Sequence, residues 1–120
     1  MTKLQSIHPV LPSANIERDI KWYKEKLGFI AISFNEGYAV LNRDHLFIHL
    51  QWHAGTTEDP LLGGSVIKLF VDDIHPIFNE FIKRESIQKK LLRLNTPWNT
   101  NEFGLYDPNK NAIFVVESLS

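Results

Sequence analysis

The sequence predicts an α+β fold: two βαβββ modules in tandem, whose curved mixed sheets wrap a cup and carry their helices on the outer face. Three observations predict it. Two segments carry apolar residues at helical spacing, each follows a short extended run, and each precedes further runs that read as strands. One turn-rich stretch, "HAGTTEDPLLGG" at 53 to 64, separates halves of the same element order. A chain of 120 residues fits a single domain, 1 to 120, with one module over about 5 to 52, a linker at 53 to 64 and a second module over about 65 to 118.

The first module opens with a short strand from Ser6 to Leu11, ended by Pro12. Ser13 or Asn15 then caps a helix on which Ile16, Ile20, Tyr23 and Leu27 share a face, and Gly28 stops it. Three extended runs follow: "FIAISF" at 29 to 34, "YAVLN" at 38 to 42 and "HLFIHLQW" at 45 to 52. The second module repeats the order. "SVIKLFV" at 65 to 71 is its first strand, Asp72 or Asp73 caps a helix with Ile74, Ile77, Phe78, Phe81 and Ile82 on one side, and Pro76 is tolerated in the first turn. "IQKKLLRL" at 87 to 94, "EFGLYD" at 102 to 107 and "NAIFVVE" at 111 to 117 complete it as strands.

Composition excludes several function classes. Lys and Arg number 13 against 14 Asp and Glu, with no basic block, so electrostatic binding to nucleic acid is not expected. With no cysteine there is no disulfide framework, thiolate nucleophile or cysteine metal site, which favours a reducing compartment. "MTKLQSIHPVLPS" lacks the apolar core of a signal peptide, and the longest aliphatic or aromatic run, "AIFVV" at 112 to 116, is too short to span a bilayer. A soluble, cytoplasmic protein with no membrane partner is the expectation. No Gly-x-Ser-x-Gly elbow is present, no phosphate loop accompanies Gly63-Gly64, and Asp72-Asp73 read as a helix cap rather than a catalytic pair.

Alternation assigns the strand faces. In the fourth strand Leu46, Ile48 and Leu50 oppose Phe47, His49 and Gln51; in the fifth, Ile67, Leu69 and Val71 oppose Val66, Lys68 and Phe70. The first set of each suits packing on helices. The second mixes aromatic and polar groups, as the wall of an open cup does, and Lys68 must reach solvent, a carboxylate or a ligand there.

Two stretches, "HPVLPSANIERDIKWYKEKLGF" near the start and "PWNTNEFGLYDPNKNAIFVVE" near the end, resemble the glyoxalase/bleomycin-resistance (vicinal oxygen chelate) superfamily over essentially the whole chain. "WYKEKLGF" resembles the family's Phe-Tyr…Leu-Gly-Phe helix end. Trp98, Glu102-Phe103 and Asp107-Pro108 resemble the Pro-Trp-Gly…Glu-Phe…Asp-Pro stretch of the bleomycin-resistance branch. The chain departs from that pattern at Asn99 and Lys110, where the family has glycine; Asn111 or Asn109 is expected to take the positive φ of the second turn.

The resemblance also locates the family's metal-ligand positions, which here hold His8, His49, Val66 and Phe114. Two of these are residue types able to bind a metal and two are not, short of the roughly three protein ligands of a catalytic divalent ion. His49 and His53 do not make a second pair, because four residues of strand span about 13 Å. No cofactor is therefore expected. The resemblance implies a homodimer that binds and sequesters a small molecule, a bleomycin-type antibiotic or another flat, amphipathic compound, in grooves between subunits. The alternative is a lyase or dioxygenase that uses a divalent metal ion on His8 and His49.

Trp98, Phe34, Tyr38 and Phe47 are the candidates for stacking on such a ligand, with His49 and Glu102 as polar partners. Each has a plainer reading, as core aromatic or sheet ion pair. Trp22 is assigned to the helix face and Trp52 to the linker or a dimer contact. A net charge of −1 does not single out a polycationic ligand, and Lys68 in the cup would disfavour one.

Overall fold

A computed structural model describes residues 1–120. Four strands, β1 (Val10–Ser13), β2 (Ile30–Phe34), β3 (Tyr38–Arg43) and β4 (Leu46–Trp52), form one mixed sheet in the order β1-β4-β3-β2. Three more, β5 (Val66–Val71), β6 (Thr100–Tyr106) and β7 (Ala112–Ser118), form a second in the order β5-β7-β6. In each sheet the module's first strand lies parallel to its last, and the remaining pairs are antiparallel.

Helix α1 (Ile16–Leu27) packs on β2, β3 and β4, and α2 (Ile74–Lys83) on β6 and β7. Asn15 caps α1 by accepting from the Arg18 N–H at 2.9 Å, and Asp73 caps α2 by accepting from His75 N–H at 3.0 Å. Gly28 closes α1 at φ 72°, where a Cβ would sit 2.8 Å from the Arg84 guanidinium and 2.9 Å from that of Arg43. Leu41, Ile48 and Leu50 of the first sheet share one buried cluster with Phe78, Phe81, Phe103 and Val115 of the second half. The opposite face of each sheet is left open. Neither helix is long and apolar enough to cross a membrane.

A buried polar network ties α1 to the β6–β7 hairpin. Tyr23 donates its phenol to Asp107 at 2.7 Å; burial, then the Asp107 charge, raise its pKa far enough to keep it protonated. Asp107 also accepts from the N–H groups of Asn109 and Asn111 and from the Asn111 amide. Asp19, fully buried, accepts from Ser13 Oγ, Arg18 Nε and Asn109 Nδ2. The Asp-Pro-Asn-Lys-Asn turn is thus a clamp between the halves.

Three expectations are corrected. The first strand does not run from Ser6 to Leu11; it runs from Val10 to Ser13 and includes Pro12, because on the edge of a sheet the missing proline N–H leaves no ladder bond unmade. The run 87 to 94 is not a strand. Gln88, Lys89 and Lys90 put three polar residues in succession, so alternation is lost; a single 3₁₀ turn forms at Lys89–Leu91, and only Arg93 bridges to Glu102. The second module is therefore βαββ in this chain. Third, the positive φ of the hairpin turn falls on Lys110 (φ 65°) and not on Asn109 or Asn111, whose backbone N–H groups are both committed to Asp107.

Candidate ligand-binding site

The open face of the first sheet carries one group of predicted residues. β3 and β4 pair Val40 with His49 and Asn42 with Phe47, so Tyr38 lies diagonally beside His49 on the same face. Tyr38 Oη is 2.7 Å from His49 Nδ1, with the two rings edge to face at 5.4 Å. His8, just ahead of β1, brings its ring to 4.9 Å from Phe47 and 5.1 Å from His49. Burial first, and the His8 charge second, hold the His49 imidazole below its ordinary pKa, which favours the uncharged ring. In the tautomer whose Nδ1 accepts the hydrogen bond from the Tyr38 phenol, the His49 Nε2–H is left to donate to a ligand.

The second group lies at the far edge of the other sheet. Glu102 on β6 is only 5% exposed, yet forms none of the chain's ion pairs. Trp98 donates its indole N–H to the Glu102 carboxylate at 3.1 Å, and the Arg93 guanidinium lies 4.9 Å from the Trp98 ring centroid. Arg93 is held by a reciprocal pair of backbone bonds to Glu102, at 2.9 and 2.8 Å. These contacts fix a large aromatic plane that remains 52% exposed. Arg93 was not readable from the sequence as part of the site, since its placement depends on one bridge in a segment that reads as an ordinary strand.

Phe34 joins neither group. The β2–β3 register shifts between Ala31 and Ser33, leaving Ile32 as an extra residue, so Phe34 pairs with Ala39 and turns to the helix side of the sheet. There it lines a groove of about 610 Å³ with Ile16, Ile20, Trp52, Glu17 and Glu36. Trp52 is fixed in that groove by donating its indole N–H to the Ala14 carbonyl. The structure therefore unites Tyr38, Phe47 and His49, and separately Trp98 and Glu102, on different sheets of one chain.

His8 and His49 were the candidates for holding a metal. No group of three His, Cys, Asp or Glu side chains that could hold a metal ion forms around them. Two imidazoles alone do not fit a catalytic divalent ion.

No protein-family profile matches the chain. Over 97% of its length it is 26% identical to a bleomycin resistance protein of Geobacillus stearothermophilus, 98% of which is covered. A bleomycin-binding protein solved in complex with bleomycin superposes with a TM-score of 0.76 at 21% identity, over 96% of this chain and 99% of the other. The bleomycin resistance determinant encoded on transposon Tn5 superposes with a TM-score of 0.74 at 23% identity, over 96% and 98%. The fold is that of the glyoxalase/bleomycin-resistance proteins, and the sequence resemblance to the bleomycin-resistance branch runs the length of the chain.

Proposed function

We propose that this chain is a metal-independent binding protein that sequesters a flat, amphipathic small molecule of the bleomycin type in grooves at a homodimer interface. The observation that carries the reading is Trp98 and Glu102: an exposed aromatic plane held at its N–H edge by a buried carboxylate that forms no ion pair. A cationic or hydrogen-bonding group on a stacked ligand supplies the missing partner. In this reading Trp98, Tyr38 and Phe47 stack, and His49 and Glu102 orient.

The two groups sit on separate sheets, so each chain offers two half-sites, and a two-fold dimer can set the Tyr38 group of one subunit against the Trp98 group of the other. Val66, Phe70 and Tyr106 support that dimer: they leave 59%, 65% and 70% of their surface exposed on the open face of the second sheet. Absence of cysteine fits the cytoplasm as the compartment.

Titration with bleomycin tests the reading through tryptophan fluorescence. Saturable quenching is expected, lost in Trp98→Ala but retained in Trp52→Phe, because Trp52 lies on the helix side. Quenching unchanged by Trp98→Ala, or a monomer by light scattering at micromolar concentration, counts against it. About one tightly bound divalent ion per chain, lost in His8→Ala, favours the lyase or dioxygenase alternative instead.

A further inference from the structure

A second cavity, about 470 Å³, opens at the seam between the two sheets, where the residues ahead of β1 and the start of β4 meet β5. Its lining includes His8, His45 and Lys68 together with Ile7, Pro9 and Phe47, and contains no carboxylate. Lys68 makes no ion pair and no side-chain hydrogen bond elsewhere in the chain; the four ion pairs involve Arg18, Arg43, His53 and Arg84. Its immediate neighbours on the sheet are no counter-ions, and Glu102, the carboxylate of that face, stands two strands away opposite Val116. Across the open face Lys68 pairs with Phe114, whose ring lies over Gly104, and its neighbours along β5 on that face are Val66 and Phe70.

A cation that shares a cavity lining with two imidazoles and no carboxylate is set for an external anion. The apolar part of the ligand has its own wall in the Phe47 and His8 rings, tilted 35° at 4.9 Å. The volume suits a bicyclic compound. We propose that the seam cavity is a subsite for a flat aromatic acid: Lys68 holds the acid group, His8 and His45 donate to it, and Phe47 covers the ring. This deepens the sequestration reading, on which it rests for the placement of the ligand on the open sheet face, and it sets this chain's preference opposite to that for a purely cationic drug.

The test compares 2-naphthoate with its neutral isostere 2-naphthamide by calorimetric titration of the full chain, in parallel with bleomycin. Naphthoate is expected to bind about tenfold or more tightly than the amide. In Lys68→Met, which keeps the apolar stem, the two compounds should bind alike; Lys68→Arg should restore the difference. Equal affinities in the unsubstituted protein, or a preference that survives Lys68→Met, overturn the subsite. Bleomycin binding without naphthoate binding also overturns it and leaves sequestration standing. Naphthoate binding that depends on Lys68, with no binding of bleomycin, upholds the subsite while the bleomycin-type reading falls.

Discussion

Lys110 and Asn99 stand in left-handed backbone at φ 65° and 63°, at the two positions where the resembling family carries glycine. An L-residue in that conformation costs about 1–2 kcal/mol, less for asparagine, whose short side chain tolerates it. Replacing Lys110 by glycine relieves that strain but gives the unfolded chain more freedom, which offsets about 0.4–1 kcal/mol. Lys110→Gly should therefore stabilise the protein by about 0.5–1 kcal/mol in urea unfolding, and Asn99→Gly by less. A destabilised Lys110→Gly would mean that the lysine makes a compensating contact. At this scale the sequence located the turn but misassigned its strained residue. Which position goes left-handed depends on Asp107 taking the N–H groups of both Asn109 and Asn111, a pattern that no residue type announces.

Between elements, Arg43 is the joint. From β3 it donates to the Leu27 carbonyl at the end of α1 and makes a bidentate pair with Glu80 of α2 at 2.7 and 2.6 Å, while Arg84 holds the same carboxylate from one helical turn away. The bond to Arg43 keeps the Glu80 carboxyl below its ordinary pKa of 4.5, against an opposing effect of burial, with Arg84 adding to the depression. A depressed acid stabilises the fold fully above its unfolded pKa and loses that contribution as the pH falls through the folded one. Glu80→Gln should cost about 1 kcal/mol at pH 7, given the partial exposure of the pair. The gap between the two proteins should close as the pH drops below the ordinary glutamate range, which urea titrations at pH 7 and pH 3 would show. A gap that is constant with pH would place the effect in packing rather than charge.

The elements themselves were readable because caps and periodicity are local: Asn15 and Asp73, each given as one of two candidate caps, and Gly28 all act within a few residues of where they stand. What was not readable is non-local or hinges on one residue. The extra Ile32 reverses Phe34 by breaking the period of two that its run otherwise keeps. Asp19 meets Asn109 across 90 positions of sequence, and Arg93 reaches Trp98 through a single isolated bridge to Glu102.

For the whole molecule, the open faces decide the assembly. Phe70 is 65% exposed on β5 and is not part of the buried core cluster, although it lies across from the buried Val116 of β7, so a charge there falls largely on the surface of the isolated chain. Phe70→Glu should change the stability of the single chain by no more than about 0.5 kcal/mol. A homodimer that covers the open face must desolvate that carboxylate, with only Lys68 two residues along β5 to offset its charge, which weakens association about tenfold. Light scattering across a dilution series should then show Phe70→Glu as a monomer at concentrations where the unsubstituted protein is a dimer. Ligand affinity should fall with it, because neither half-site alone encloses a flat molecule. A Phe70→Glu dimer of undiminished stability would put the subunit interface elsewhere, and retained affinity in a monomeric variant would show that the Trp98 platform works within one chain.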